Sequence, residues 1–311
     1  MDLVYLGTPE MAVAPLTALH AAGHRIRLVV SGADKRRGRR GSPTPSPVKS
    51  AALELGLAVT DDIEEIAEAE AELGIVVAYG RLVRPHLLAR LPMLNLHFSL
   101  LPRWRGAAPV ERAMLAGDET TGVCLMALDE GLDTGCVYGR VEVPIGDSTT
   151  AAELRGELVR VGTDLLVGSL RTGLGRCEPQ SEDGVTYAAK LTADDLRLDW
   201  SMPVSRLDRQ IRVGGAWTTW RGERFKIHRA VPVDGGDAVG AGSAGVGTPT
   251  GDLDPGTVWG STRTVLVRAA DGDLRLEQVQ PAGRPSMGAG DWANGASPFG
   301  SRLGDHGTGS S

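Results

Sequence analysis

Apolar and polar residues alternate in a pattern that predicts repeated strand and helix units over the first half of the chain. Short apolar runs have the length and composition of buried strands, and they lie at 3–6, 26–30, 75–79, 94–98 and 123–128. Stretches with helical character separate most of them, at 9–23, 48–55, 84–89 and 108–116. Because strands that alternate with helices usually form a parallel sheet, this half predicts a Rossmann-like α/β domain.

Local signals place several element boundaries in this half. Thr8 is the predicted N-cap of the first helix, with Pro9 at its first helical position. Residues 61–73 predict an acidic surface helix, and residues 31–47 predict a long exposed loop. Thr150 and Glu153 form a predicted capping box. That box opens a helix whose apolar positions lie on one face, at Leu154, Leu158, Val161, Leu165 and Leu166.

The helical alternation stops near Gly173, and the second half predicts a different architecture. A helix is expected from Arg206 to about Val213, followed by short runs separated by Gly and Pro, at 225–231, 257–259, 264–268 and 274–279. This spacing is typical of a small β-barrel. We therefore predict domains at 1–190 and 206–303, a linker at 191–205 and a frayed tail at 304–311. Residues 235–251, rich in Gly and Ala, predict a disordered loop.

Composition and charge narrow the class of protein. The hydrophobic content of 41% fits a soluble globular protein. The net charge of −6 argues against a protein that coats nucleic acid. Two basic segments, 35–40 and 206–229, nevertheless offer local surfaces for a partner that carries phosphates. The N-terminus reads as a core strand rather than a secretion signal, and no apolar run is long enough for a membrane span. A cytoplasmic protein is expected.

The three cysteines, Cys124, Cys136 and Cys177, lack the spacing of a metal site, and their number is odd. A reduced, cytoplasmic setting is the simplest interpretation. Cys124 lies in a predicted core strand and is expected to be an inert buried thiol.

Asn95, His97 and Asp133 are the strongest candidates for chemistry. Asn95 and His97 lie two residues apart in a predicted strand, so their side chains leave the same face. Asp133 lies in a glycine-flanked turn after the 123–128 strand. An amide donor, an imidazole and a carboxylate beyond the ends of strands are the groups that an acyl-transfer site needs. Because asparagine is not a usual zinc ligand, no metal is expected.

Motifs around these residues resemble the methionyl-tRNA formyltransferase family. Asn95 to Pro102 reads NLHFSLLP, residues 103–109 read RWRGAAP, and residues 131–135 read GLDTG. Shorter matches extend the resemblance along essentially the whole chain, at 7–9, 45–49, 77–80, 187–190 and 280–283. The resemblance implies a Rossmann-like formyltransferase domain, followed by an OB-like β-barrel that helps to hold tRNA.

The resemblance also implies an activity and a role for each candidate residue. The family transfers the formyl group of 10-formyltetrahydrofolate to the α-amino group of methionyl-initiator tRNA. Asn95 would stabilise the oxyanion, His97 would move protons, and Asp133 would orient and polarise His97. The folate would lie along Ser99, Leu100, Leu101 and Pro102. The tRNA would meet the basic loop at Lys35, Arg36, Arg37, Arg39 and Arg40. A monomer is expected.

Two alternatives stay open from the sequence. The same catalytic set could formylate a small amine, such as a nucleotide-sugar amine or glycinamide ribonucleotide, or could serve a hydrolase. Alternatively, the chain could be a non-catalytic RNA-binding protein built on a decayed enzyme. Gly7 follows the first strand without the later glycines of a dinucleotide fingerprint, so NAD binding is not expected. Residues 211–217 depart from the family's Pro- and Trp-bearing segment, which leaves their role undefined.

Overall fold

A computed structural model describes residues 1–36, 42–233 and 253–304. Contacts divide the chain into two compact units. Unit 1 consists of Met1–Ala113, Asp118–Asp147 and Ala152–Lys190, and unit 2 consists of Met114–Gly117, Ser148–Ala151 and Leu191–Ser311. No helix of the described residues is long and apolar enough to cross a membrane.

Unit 1 is built on a seven-stranded sheet. Its strands and those of two small ribbons are, in chain order, β1 (Asp2–Gly7), β2 (Arg25–Val30), β3 (Lys35–Arg36), β4 (Pro43–Thr44), β5 (Val59–Thr60), β6 (Leu73–Val77), β7 (Met93–His97), β8 (Arg105–Gly106), β9 (Thr120–Ala127), β10 (Val137–Pro144) and β11 (Tyr187–Ala188). The order in the large sheet is β10-β9-β7-β6-β1-β2-β5. The pairs from β7 through to β5 are parallel, and β9 is antiparallel to both of its neighbours. The predicted mostly parallel α/β sheet is confirmed.

The helices in this half of the chain are α1 (Val13–Ala21), α2 (Pro47–Glu54), α3 (Pro85–Arg90), α4 (Pro109–Ala116) and α5 (Ala151–Thr172). The first strand is buried along its whole length, as expected of a central strand with both faces covered. Val4, Leu6 and Val76 share one apolar cluster with Leu87 of α3. The long helix at 151–172 confirms the element that the capping box predicts.

Two local expectations in unit 1 are wrong. Thr8 does not cap a helix, because a 3-10 turn at Glu10–Ala12 precedes α1. Its hydroxyl instead donates to the Tyr79 carbonyl and accepts from the Gly32 N–H, each at 3.2 Å. The acidic 61–73 stretch forms only a 3-10 turn at Ile63–Glu68, which ends before β6 begins. Like charges at close spacing weaken a helix of that sequence.

Unit 2 contains an antiparallel sheet around one apolar core. Its strands are β12 (Trp217–Trp220), β13 (Glu223–Val233), β14 (Val258–Ser261), β15 (Thr264–Arg268), β16 (Asp273–Pro281) and β17 (Met287–Gly288). They pair in the order β12-β13-β16-β15-β14, and β17 adds to β16. The core contains Phe225, Ile227, Leu274 and Trp292, together with residues of α6 (Val204–Val213) and α7 (Ala289–Ala296). The helix α6 and the antiparallel strands that follow it agree with the prediction for the second half of the chain. The 235–251 loop and all of the tail beyond Gly304 lie outside the described residues.

Candidate active site

The site is assembled where the loop between β9 and β10 returns to β7. The sequence predicts that both strands deliver their residues at carboxyl ends, but β9 runs antiparallel to β7, with Ala127 opposite Leu94. The carboxyl end of β9 therefore lies beside the beginning of β7. Asp133 reaches Asn95 and His97 only because residues 128–136, here called the Asp133 loop, connect β9 to β10 and turn back to the site.

Asn95, His97 and Asp133 lie close together in the structure. Asn95 Nδ2 donates to Asp133 Oδ1 at 3.3 Å, and His97 Nδ1 lies 3.6 Å from Asp133 Oδ2. The Gly106 N–H donates to the same Oδ2 at 2.7 Å. The side chains of His97 and Asp133 are only 6% and 12% exposed, so the two groups face each other in a poorly solvated place.

His97 is oriented by a group that the sequence does not reveal. Its Nε2 lies 2.9 Å from the backbone carbonyl oxygen of Trp104. Because a carbonyl only accepts, Nε2 carries a hydrogen and donates it. In the neutral ring, Nδ1 is then the unprotonated nitrogen, and it is the one that faces Asp133. The ring can therefore accept a proton at Nδ1 beside a carboxylate that would stabilise the resulting cation.

Asp118 holds the Trp104 segment in place. Its carboxylate accepts from Arg103 through Nε at 2.9 Å and Nη2 at 2.6 Å, and from Trp104 Nε1 at 2.7 Å. The Arg103 guanidinium stacks 4.5 Å from the centroid of the Trp104 ring. Trp104 has a left-handed backbone with φ +63°, and its N–H donates to Thr186 Oγ1 at 2.9 Å. These contacts fix the carbonyl that His97 uses.

We expect Asp118 to stabilise the fold at neutral pH but not in acid. Burial alone would raise the pKa of Asp118, but hydrogen bonds from Arg103 and Trp104 outweigh it and lower that pKa below its ordinary value. The stabilisation is therefore complete above the ordinary carboxyl pKa and is lost as pH falls through the lowered one. Asp118→Asn should reduce the free energy of unfolding by about 1–3 kcal/mol at pH 6, and by less at pH 3, in urea titrations. Asp164→Asn, which changes an exposed carboxylate on α5, is the control. A loss of equal size at both pH values would contradict this account.

Gln180 supports the backbone of the Asp133 loop. Its Nε2 donates to the carbonyl oxygens of Asp133 and Gly135, both at 2.8 Å. Its Oε1 accepts from Arg105 at 3.0 Å (Nε) and 2.7 Å (Nη2). Asp133 has φ +53°, and a Cβ on Gly135 would collide with the Ala127 carbonyl oxygen, so glycine is required there.

A disulfide joins the Asp133 loop to the connector, which we define as residues 173–186 between α5 and β11. Cys136 and Cys177 are bonded, with their Cα atoms 5.4 Å apart. This bond corrects the expectation of three reduced cysteines, because the fold brings together two cysteines that are 41 residues apart. Next to them, Val137 and Glu178 exchange backbone hydrogen bonds at 2.8 and 2.9 Å. Cys124 is fully buried, and burial raises the pKa of its thiol, as expected of an unreactive cysteine.

The segment proposed for folate, residues 99–102, is packed mainly against protein. Ser99 is fully buried, and its hydroxyl donates to the Arg103 carbonyl at 2.6 Å. Leu101 is buried in a small cluster with Cys124, Met126 and Val137. Leu100 and Pro102 are half-buried. Of these four residues, only Leu100 and Pro102 are therefore accessible to a ligand.

The basic loop is described only in part. Lys35 and Arg36 are exposed and form β3, which pairs with β4. Arg37, Arg39 and Arg40 lie outside the described residues. Among the residues that the structure describes, no group of three or more His, Cys, Asp or Glu side chains is arranged to hold a metal ion.

Sequence reasoning misses three groups of this site: the Trp104 carbonyl, Asp118 and Gln180. Each acts through a contact that no local spacing encodes. The resemblance in residues 103–109 is the one signal that marks the neighbourhood of Trp104, and nothing marks Gln180 within its polar connector.

Comparison with known proteins identifies the family. A formyl transferase model matches residues 1–170, and a model of the formyl transferase C-terminal domain matches residues 190–297. A methionyl-tRNA formyltransferase of Symbiobacterium thermophilum is 41% identical over 95% of this chain and 92% of its own. The chain belongs to the methionyl-tRNA formyltransferase family. The member from Thermobifida fusca is 41% identical over 98% of this chain and 98% of its own. The member from Streptomyces coelicolor is 39% identical over 98% of this chain and 100% of its own.

Solved structures confirm the formyltransferase fold at lower identity. HypX from Aquifex aeolicus, solved in complex with tetrahydrofolic acid, has a TM-score of 0.63 at 15% identity, and the match covers 94% of this chain and 46% of HypX. An N-formyltransferase from Helicobacter canadensis, in complex with folinic acid and dTDP-3-aminofucose, has a TM-score of 0.63 at 16% identity. The match covers 90% of this chain and 98% of that protein. At 15% and 16% identity, these matches show only that the chain and the two solved proteins have the same fold.

Proposed function

We propose that this chain transfers the formyl group of 10-formyltetrahydrofolate to the α-amino group of methionyl-initiator tRNA, and that Asn95, His97 and Asp133 are its catalytic residues. The observation that carries the proposal is the convergence of an amide, an imidazole and a carboxylate from two separate segments, in a chain of this family. That set matches the needs of formyl transfer to an amine.

The α-amino group needs little activation, because its pKa lies only slightly above neutral pH. The harder tasks are to stabilise negative charge on the formyl oxygen and to move a proton from the attacking amine to the departing nitrogen. Asn95 has two amide hydrogens, one of which binds Asp133, so the second is available for the oxygen.

His97 moves the proton. With its Nε2 hydrogen held by the Trp104 carbonyl, Nδ1 accepts the proton that the amine loses as its C–N bond forms. The imidazolium then lies 3.6 Å from Asp133 Oδ2, and the carboxylate stabilises it until the proton passes to the folate nitrogen. Asp133 thus polarises His97 by charge, while the Trp104 carbonyl orients the ring.

Only part of the 99–102 segment is available to contact the co-substrate. Ser99 and Leu101 are committed to protein contacts, so their contribution is to shape the segment. The backbone of this turn and the half-buried Leu100 and Pro102 provide the edge along which the folate would lie. Folate is the formyl donor, and no metal takes part in the proposed steps.

The tRNA phosphates would meet the basic loop formed by Lys35, Arg36, Arg37, Arg39 and Arg40. We expect replacement of Arg37, Arg39 and Arg40 by serine to raise the KM for tRNA and to leave kcat nearly unchanged. Each lost phosphate contact should also flatten the dependence of log K on log salt by about 0.7–0.9. Binding measured between 50 and 200 mM salt checks this expectation.

The matched control replaces three exposed arginines elsewhere on unit 1, Arg160, Arg171 and Arg176, and changes the net charge equally. It should keep the salt dependence of the parent chain. An unchanged slope in the loop variant, or an equal change in both, would refute the assignment.

We further propose that the protein is a cytoplasmic monomer whose partners are initiator methionyl-tRNA and the folate co-substrate. In a cytoplasmic setting, reductants would act on the Cys136–Cys177 bond.

One assay tests the proposed function against its alternatives. Labelled 10-formyltetrahydrofolate is offered with charged initiator tRNA, charged elongator tRNA, free methionine and a nucleotide-sugar amine. We expect formylation of initiator methionyl-tRNA at a much higher kcat/KM than of the other acceptors. A preference for the sugar amine would support the small-amine alternative. Absence of transfer to every acceptor would support a non-catalytic RNA-binding protein.

A further inference from the structure

Asp133 occupies a backbone conformation that needs support. Its φ of +53° is in the left-handed region, which residues with a Cβ rarely adopt. Two residues later, Gly135 is pressed against the Ala127 carbonyl so closely that a side chain would not fit. The loop is therefore held in a single tight path, and the direction of the Asp133 carboxylate depends on that path.

The side-chain amide of Gln180 bridges two carbonyl groups of this loop. A glutamine Nε2 has two hydrogens, and here both are used on the carbonyl oxygens that flank Thr134, each at 2.8 Å. One nitrogen atom thus holds the carbonyl groups of Asp133 and Gly135 in a fixed position relative to each other. A rotation of the Asp133 peptide would break one of these bonds.

The orientation of that amide is itself determined. Arg105 donates twice to Oε1, so an inverted amide would place the NH2 hydrogens against the guanidinium hydrogens. Arg105 also immediately precedes Gly106, whose N–H donates to Asp133 Oδ2 at 2.7 Å. The 105–106 segment therefore fixes Asp133 twice, through Gln180 at its backbone and directly at its carboxylate.

We propose that Gln180 is a positioning residue for the transfer reaction, which sets the backbone of Asp133 and thereby aims its carboxylate at His97. This inference rests on the catalytic role proposed above for Asp133. No hydrogen bond of the described residues joins Gln180 to Asn95 or His97, so we expect its effect on them to pass through the Asp133 loop.

Gln180→Met tests the proposal, because it keeps the length of the side chain and removes both donated bonds. We expect kcat to fall about 10- to 100-fold, since a displacement of about 1 Å in a catalytic group has effects of this size. The KM values for folate and tRNA should stay within about twofold of the parent, because the variant removes no substrate contact. Gln180→Glu is the second variant, as its carboxylate keeps the Arg105 contact and still cannot donate to the two carbonyls.

Gln210→Met is the matched control. Gln210 forms the same kind of bridge in unit 2, where its Nε2 donates to the carbonyl oxygens of Asp195 at 2.9 Å and Arg197 at 3.2 Å. Its replacement should lower the melting temperature to a similar extent and leave kcat unchanged. A fall in kcat of equal size in both variants would show that Gln180 acts only on stability and would overturn the proposal.

A double substitution separates a positioning role from an independent one. In an Asp133→Asn background, Gln180→Met should change kcat less than about twofold, because the group that it positions is already impaired. The same 10- to 100-fold loss in that background would overturn the proposal. So would unchanged kcat in both folded Gln180 variants while Asp133→Asn is inactive, and that result would leave the proposed function intact. Full activity of Asp133→Asn would overturn the proposed role of Asp133 and this inference together.

Discussion

Replacement of Asn95 by alanine should lower the turnover of formyl transfer about 10²–10³-fold, equivalent to roughly 3–4 kcal/mol. The physical reason is that Asn95 offers the formyl oxygen a hydrogen that is already oriented, since its amide is held by Asp133 Oδ1 at 3.3 Å. Water cannot replace a donor of fixed direction without a cost in reorganisation. The measurement is single-turnover transfer from labelled 10-formyltetrahydrofolate to charged initiator tRNA.

The fold should survive this change, because Asn95 is half-buried in β7 and its backbone pairs remain. Circular dichroism and the melting temperature provide the check. Leu94→Val, in the same strand, is the control for a general disturbance of β7, and it should keep turnover within a few fold. Near-normal turnover of a folded Asn95→Ala variant would remove Asn95 from the mechanism.

Replacement of Cys136 and Cys177 by serine should lower the free energy of unfolding by about 2–4 kcal/mol relative to the oxidised chain. The bond closes a long loop, with a sequence separation of 41 residues, and this restricts the unfolded chain more than the folded one. In the folded state the Val137–Glu178 backbone pair and the Gln180 bridge remain, so the loop keeps its path. Urea titration of the two proteins measures the difference.

Thiol titration of the denatured proteins is the control for this experiment. The oxidised chain should show one free thiol, from Cys124, and the reduced chain should show three. Reduced parent protein should unfold at the same urea concentration as the double serine variant. Equal stability of the oxidised chain and the variant would show that the bond contributes nothing.

The sequence predicts those features that local periodicity encodes. The central strand β1 and the helix α5 follow from apolar runs and from a capping box, and the placement of Asn95 and His97 on one face of β7 follows from their spacing. The direction of β9 and the presence of β10 do not follow, because pairing depends on distant segments and not on local pattern.

The polar support of the site is unpredictable for the same reason. Gln180 lies 47 residues from Asp133, and Cys177 lies 41 residues from Cys136. Nothing in the connector distinguishes these two from ordinary surface residues. The acidic 61–73 stretch shows the opposite error, in which composition favours a helix that charge repulsion limits to a 3-10 turn.

β10, which follows the Asp133 loop, is the last strand of its sheet, but its first residue is paired on both sides. Val137 lies opposite Met126 of β9 and also exchanges backbone hydrogen bonds with Glu178 of the connector. Segments that make few such contacts open locally at less than the free energy of complete unfolding. Here the connector would have to come away before the start of β10 could open, so we expect amide hydrogen exchange at Val137 to slow or quicken together with that at Glu178.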